Sequence, residues 1–359
     1  MSTRTSIRLI SWNILAQKTI KRDQYPYASK ICLKKKYRHP LLINQIIIRK
    51  PDIVVLQEVD EYEFLLSSLK LEGYFEQKEN SSNGCAIFWN RKFKLITKFR
   101  EKLIPFKHIW DHDNSFLMGV ILEHNDSGDR FLVCTTHLYW RALADYAKLR
   151  GMVGCLQILK QYDSMPIVFA GDFNSCPDTA VYKLATDFIT SDELWLSSIQ
   201  IQELTDSYAE GLKRAILKSE IVDVSCLGDQ SFNDLWFHLN YLLKNKQLLR
   251  LKSAYGQYMK NNAVELNPDR KGKNIYKNKC GKTVQDIKGR EYENKKTINE
   301  PLYSNYCLGF KACIDYIFYH KIEIQNCLEI PSEPSLKSGL PNDDFPSDHV
   351  ILGVDFTIN

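Results

Sequence analysis

A chain of 359 residues, 44% hydrophobic and 25% charged, carries enough apolar mass for a large core, which excludes a disordered or low-complexity protein. Its ten cysteines contain no Cys-x-x-Cys pair, which argues against both a zinc site and a secreted disulfide framework. The net charge of +5 is modest, no stretch is apolar over a bilayer's thickness, and the first residues lack a signal-peptide core. The chain is therefore read as a non-membrane, cytoplasmic or nuclear protein. The mitochondrion ranks lower, because cleaving a presequence of ordinary length would remove the first strand.

In chain order, Ile7-Arg-Leu-Ile-Ser-Trp-Asn13 reads as a strand that delivers Asn13 to its end. Residues 18–38 carry Lys18, Lys21, Arg22, Lys30, Lys34, Lys35, Lys36 and Arg38 against one acid, Asp23, with tyrosines interleaved. Such a run is either a solvated face or a phosphate-facing loop. Leu41 to Ile48 has helical spacing, and Asp52 to Glu58 is a second strand ending on an acid. A helix over about Glu61 to Leu71 is expected to stop at Gly73. Asn83–Asn90 reads as a hairpin turn leading into a strand, which is expected to pair with Phe93–Arg100 through a turn at Asn90-Arg91. Ser115–Glu123 and Arg130–Thr136 read as a hairpin whose second strand leads to His137, and residues 143–162 as a helix.

Ile167-Val-Phe-Ala170 is a short apolar run that reads as a buried strand, followed by Gly171-Asp-Phe-Asn174. Gly171 suggests a close backbone approach, and Asp172 and Asn174 would share one face if the chain stayed extended. A carboxylate and a carboxamide together suit a hard cation and a phosphate oxygen; a plain Asx turn is the bland alternative. A short helix is expected over 178–189. From 191 to 300 the pattern weakens. Residues 243–300 hold 15 Lys+Arg and 6 Asp+Glu, a local charge of +9, so the rest of the chain carries 5 − 9 = −4. Residues 260–300 are read as a mobile basic insertion in a single domain spanning 1–359, either an RNA- or partner-contacting segment or a solubilising loop. Ala312–Tyr319 and Pro346–Val354 read as the last strands.

Strand after strand thus ends on a group suited to metal or phosphate: Asn13, Glu58, His137, Asp172 with Asn174, Asp315, and Asp348 with His349. Asp315 lies inside an apolar run, so its carboxylate needs a partner, and His349 is the natural one. The motifs Ser11-Trp-Asn-Ile-Leu-Ala16, Val55-Leu-Gln-Glu58, Thr136-His-Leu138, Gly171-Asp-Phe-Asn174, Ile314-Asp-Tyr316 and Ser347-Asp-His349 stand in the order of the endonuclease/exonuclease/phosphatase superfamily, and the chain resembles it from residue 7 to residue 356. Thr136-His-Leu-Tyr-Trp140 and Asn305 to Ile317 resemble its deadenylase branch, which includes nocturnin, the angel proteins, the 2′,5′-phosphodiesterase and the fungal Ngl-type exoribonucleases. One departure is Ala142, where such relatives often carry proline.

The resemblance implies an α/β fold, a four-layer sandwich of two mixed β-sheets packed face to face with helices outside. It implies a Mg²⁺-dependent (or Mn²⁺-dependent) 3′–5′ exoribonuclease that acts as a monomer on single-stranded RNA 3′ ends, prefers poly(A), and lacks a leucine-rich-repeat scaffold segment. It implies Glu58, Asn13 and Asp348 at the metal, Asp172 as activator of the attacking water, and Asn174, His137 and His349 on the phosphate oxygens, with Asp315 behind His349. It also implies Phe310 stacked on a base, with Trp140 in the substrate-binding set. The residues themselves leave other substrates open: 2′,5′-oligoadenylate, a dinucleotide phosphate, abasic DNA or an inositol phosphate. An inactive RNA-binding protein is the alternative of another class. A Ser-His-Asp hydrolase is disfavoured, since Ser347, Asp348 and His349 are contiguous and no Gly-x-Ser-x-Gly elbow exists.

Overall fold

Apolar runs such as Ile53-Val-Val-Leu56 and Ile167-Val-Phe-Ala170 belong to strands covered on both faces, and the fold covers them so. The computed structural model describes residues 5–103, 114–140, 145–186, 245, 247–261, 300–337 and 339–358. Most of the weakly patterned region from 191 to 300, including nearly all of the expected insertion, and Ala142 lie outside the described residues.

The strands are β1 (Ile7–Asn13), β2 (Ile53–Val59), β3 (Glu72–Gln77), β4 (Gly84–Trp89), β5 (Phe93–Lys102), β6 (Phe116–His124), β7 (Arg130–His137), β8 (Ile167–Asp172), β9 (Lys252–Ser253), β10 (Asn305–Cys307), β11 (Phe310–Ala312), β12 (Asp315–His320), β13 (Ile322–Cys327) and β14 (Leu352–Ile358). The helices are α1 (Lys35–Ile47), α2 (Tyr62–Leu69), α3 (Asp145–Lys160), α4 (Ala180–Thr186), α5 (Ala254–Asn261) and α6 (Glu333–Leu336). One six-stranded sheet has the order β13-β14-β1-β2-β4-β3 and the other β5-β6-β7-β8-β12-β9. Each sheet is built around one parallel pair, β1 with β2 and β7 with β8, and every other pairing within it is antiparallel.

Alternation along the strands divides the core. Leu9, Val55, Ile87, Val133, Val168 and Ile317 meet between the sheets. Ile10, Val54, Leu56 and Phe88 face Leu42 and Ile46 of α1 and Leu65 of α2. Leu132, Cys134 and Phe169 face Met152, Val153 and Leu156 of α3. This is the expected four-layer sandwich of two mixed sheets. Among the described residues, no helix is long and apolar enough to cross a membrane.

Several local expectations need correction. β4 and β5 are not a hairpin: β4 pairs with β2 and β3, whereas β5 pairs with β6 in the other sheet. The turn between them is tied to Asp52, which accepts from Asn90 Nδ2 (2.8 Å) and Lys92 Nζ (2.7 Å), and it crosses from sheet to sheet. Helix α2 ends at Lys70, whose φ of 54° is left-handed, and Gly73 lies within β3. Ala312 belongs to the small hairpin β10–β11 rather than to β12. The last strand begins at Leu352, so Asp348 and His349 sit in the segment before it.

Candidate active site

The two parallel pairs explain why polar residues gather at one edge. β1, β2, β7 and β8 run the same way within their pairs and end on Asn13, the Glu58 turn, His137 and Asp172. Asp315 opens β12, which is antiparallel to β8, so the start of one strand meets the end of the other, with Asp315 opposite Asp172 and His137 opposite Asp172 on its other side. The segment before β14 reaches the same edge, because β14 is antiparallel to β1. Gly171 permits this closeness: a Cβ there would lie 2.3 Å from the carbonyl oxygen of Thr136.

Backbone irregularities aim the side chains. Glu58 sits at a register shift between β2 and β4 with φ 58°, and Leu15 (57°) and Asn174 (48°) are also left-handed. Such conformations cost about 1–3 kcal/mol each in non-glycine residues and concentrate at functional sites. For Asn174 this revises the sequence argument. β8 ends at Asp172, and Asn174 is held in a turn by its own N–H on Asp172 Oδ1 (2.9 Å), not by strand alternation. Its Nδ2 donates to the Leu138 carbonyl (3.0 Å).

Asp172 is the centre of the arrangement. Asn13 Nδ2 donates to its Oδ2 (2.9 Å) and to Glu58 Oε1 (3.2 Å), while the Ala16 N–H donates to Glu58 Oε2 (3.1 Å). The Nε2 atoms of His137 and His349 lie 3.6 and 3.8 Å from Asp172 Oδ2, too long for direct hydrogen bonds. His349 Nδ1 is 2.8 Å from Asp315 Oδ2, and Ser304 Oγ donates to that same oxygen (2.6 Å). Asp348 Oδ1 is 3.9 Å from His349 Nε2, and Tyr25 OH donates to Asp348 Oδ2 (2.9 Å). Trp140 is exposed, three residues beyond His137. Phe310 is half-buried on the β10–β11 hairpin, whose Asn305 bridges to His349.

Electrostatics follow from burial. Burial, then the neighbouring charge of Asp315, pushes the Asp172 carboxyl up to about 7, against the pull of His349, Asn13 and the Asn174 N–H. Burial disfavours the His349 imidazolium, but Asp315, Asp348 and Asp172 outweigh it and raise that group to about 10. His349 is therefore a cation beside a reluctant carboxylate.

The donor set fits a hard divalent cation. Among the described residues, Glu58 has no lysine or arginine partner, and the only ion-pair partner of Asp348 is His349. Glu58 is half-buried. Carboxylates and an amide without thiolates suit Mg²⁺ or Mn²⁺. Asp172, Asp315 and His349 also have ligand atoms within 4.8 Å of one another. We read Asp315 as the hydrogen-bonded support of His349 rather than as a metal ligand, because His349 and Ser304 already occupy its Oδ2.

Sequence reasoning missed several supports. Arg38, fully buried, donates to the carbonyls of Ile14 (2.7 Å), Leu15 (2.6 Å) and Pro346 (2.7 Å) and to Gln17 Oε1 (2.9 Å), joining the segments that carry Asn13 and Asp348. Ser347 Oγ donates to the Asn13 carbonyl (2.6 Å), and Gln57 Nε2 bridges the sheets to Thr135 Oγ1 (3.1 Å). Only Ser347 and Gln57 lay inside a recognised motif. Arg38, Tyr25 and Ser304 carried no local signal that separated them from ordinary polar residues.

Fold and site together define a class: α/β sandwiches with an acid-and-imidazole centre on a shared sheet edge. The chain belongs to the Endonuclease/Exonuclease/phosphatase family, whose sequence pattern matches residues 10–349. It is 25% identical to 2′,5′-phosphodiesterase 12 of Bos taurus over 393 residues, covering 97% of this chain and 51% of that one. It is 25% identical to nocturnin of Drosophila melanogaster over 376 residues, covering 98% and 47%. The chain thus spans about half the length of these curated relatives. Among solved structures, the fold is similar to that of ANGEL2, a 2′,3′-cyclic phosphatase in complex with adenosine-2′,3′-vanadate, with a TM-score of 0.67, 18% identity, and 99% and 96% of the chains covered. The human nocturnin catalytic domain with bound sulfate has a TM-score of 0.57 at 22% identity, with 100% and 97% covered.

Proposed function

We propose that the protein is a divalent-metal-dependent phosphodiesterase that removes nucleotides from the 3′ end of single-stranded RNA, with a preference for adenosine-rich tails. The observation that carries this reading is the convergence on Asp172 of Asn13, His137 and the His349–Asp315 pair, with Glu58 beside them. Similarity to nocturnin and to 2′,5′-phosphodiesterase 12 supports the phosphodiester class. The adenosine preference rests on resemblance and on Phe310.

Glu58, Asn13 and Asp348 would hold Mg²⁺ or Mn²⁺. Bound there, the cation supplies charge for the phosphate and for the leaving oxygen. Asp172, ionised, takes the proton of the attacking water. Its raised pKa makes it a stronger base than an exposed carboxylate. His349, kept protonated by Asp315, donates from Nε2 to a non-bridging oxygen as charge builds on phosphorus. His137 Nε2 and the remaining N–H of Asn174 supply further donors on that side.

A 5′-labelled RNA whose 3′ end is free or blocked by phosphate tests the reading. It is assayed beside 2′,5′-oligoadenylate, RNA with a 2′,3′-cyclic end, a dinucleotide phosphate, abasic duplex DNA and an inositol phosphate. A ladder shortening from the free 3′ end, absent on the blocked RNA, is expected. Internal cuts on the blocked RNA, or turnover confined to a small phosphate ester, would refute it.

A further inference from the structure

The basic loop between β1 and α1 is ordered by its own packing, yet among the described residues most of its lysines make no ion pair. Leu15, Tyr25, Ala28, Cys32 and Leu33 form a small core of their own. Arg22 spends its guanidinium on the carbonyls of Tyr25 (2.7 Å), Pro26 (3.2 Å) and Ala28, and Gln17 Nε2 donates to the Leu33 carbonyl (3.0 Å). Lys18, Lys21, Lys30 and Lys34 of the loop and Lys36 in the first turn of α1 are exposed. Among the described residues none of these five makes an ion pair, whereas Lys35 pairs with Glu61. Elsewhere Arg130, Lys160 and Lys337 pair with Glu123, Asp163 and Asp344, while Lys50, Lys70 and Lys321 are exposed with no ion pair among the described residues; what sets this region apart is that five such lysines lie within residues 18–36. Lys34 to Lys36 also open α1 with no acid in its first turn, the unfavourable sign for a helix N-terminus. Like charges fixed this way oppose folding, so their arrangement points to an anionic partner.

The loop is continuous with the site. Its first residues bond to Asn13 and Glu58 through the N–H groups of Leu15 and Ala16, and Tyr25 bonds to Asp348. Cys307 of the β10–β11 hairpin packs on the loop's core. Two large apolar side chains stay exposed here: Ile31 in the loop (63%) and Leu308 at the hairpin tip (62%). Lysines interleaved with exposed apolar side chains suit a strand that offers both phosphates and unpaired bases.

We infer that this loop is a track for the body of a single-stranded RNA, several nucleotides beyond the one being cleaved. The inference rests on the proposed function and narrows its substrate class to a polymer, whose phosphates can meet several of these lysines at once.

The test uses the full chain and its K21E/K30E/K34E variant, with K21R/K30R/K34R as the charge-keeping control. In EDTA, the affinity for a fluorescent RNA of about 12 nucleotides is measured across a salt series. Losing three phosphate contacts lowers the slope of log affinity against log salt by about 2, at roughly 0.7 per contact on a single strand. The arginine variant keeps the wild-type slope. In Mg²⁺, the ratio of kcat/KM on the 12-mer to that on a dinucleotide falls at least tenfold in the glutamate variant. If the glutamate variant fails to fold, K21Q/K30Q/K34Q takes its place, with the same loss expected. An unchanged slope together with an unchanged ratio overturns the track. A wild type that cleaves no RNA of any length overturns the proposed function instead, and the binding slopes still decide the track.

Discussion

The proposed role requires Asp172 to be ionised in a place where burial and Asp315 both oppose it, and that conflict is measurable. Its folded pKa of about 7 lies above the ordinary 3.8, so its contribution to stability is fully present below about 4 and is lost as pH rises through 7. His349 has the same sign, with its contribution fully present below 6.5 and lost as pH rises through about 10. Melting temperature followed against pH in EDTA should therefore fall between about pH 4 and 7 in the wild type. Asp172→Asn should make that limb shallower, leaving the share of Glu300, which burial also pushes up to about 7, and the fall at higher pH. The same variant, and Glu58→Gln, should each lower turnover by several orders of magnitude, roughly the loss expected of a water activator or metal ligand. Both are near-isosteric, so far-ultraviolet circular dichroism should not change. Phe310 is half-buried, so Phe310→Ala separates two roles. A stacking residue gives a large rise in KM for RNA with little change in melting temperature. A packing residue gives destabilisation of roughly 3–5 kcal/mol.

At the scale of elements, the strands that carry the site were legible because both their faces are covered. β1, β2, β6, β7 and β8 read as apolar runs flanked by polar ends, and their end residues were visible for the same reason. Pairing was less legible, since Asn90-Arg91 has a hairpin's length whether the chain turns back or crosses to the other sheet. β3 and β13 are half-exposed edge strands whose pattern is diluted by polar residues, and both were missed. The left-handed φ of Glu58 was unreadable, because it arises at a register shift inside β2, whereas an Asx turn near Asn174 stood open as the bland alternative and the Asn174 N–H does close on the Asp172 carboxylate. Two substitutions probe these elements. Gly171→Ala forces a Cβ against the Thr136 carbonyl of the parallel partner strand. It should cost about 1–3 kcal/mol or more in urea unfolding, and activity should fall with it. Arg38→Met leaves three buried carbonyls short of a donor, at about 1–3 kcal/mol each. Its urea midpoint should drop accordingly, with Arg38→Lys intermediate.

Across the whole molecule, two sheets with similar central pairs are set face to face so that one edge collects the ends of both. That geometry places His137 and Asp172, from one sheet, beside Asn13 and Glu58, from the other. The site therefore exists only when the sandwich is closed, with Gln57 crossing to Thr135 behind it. The central claim is that this shared edge hydrolyses RNA phosphodiesters with a divalent cation. The most direct measurement is release of 5′-AMP from an oligoadenylate by wild type and Asp172→Asn, with Mg²⁺ and with excess EDTA. The account predicts steady release by the wild type in Mg²⁺, and none above background in EDTA or from the variant. Undiminished release in EDTA, or full activity of Asp172→Asn, would contradict it.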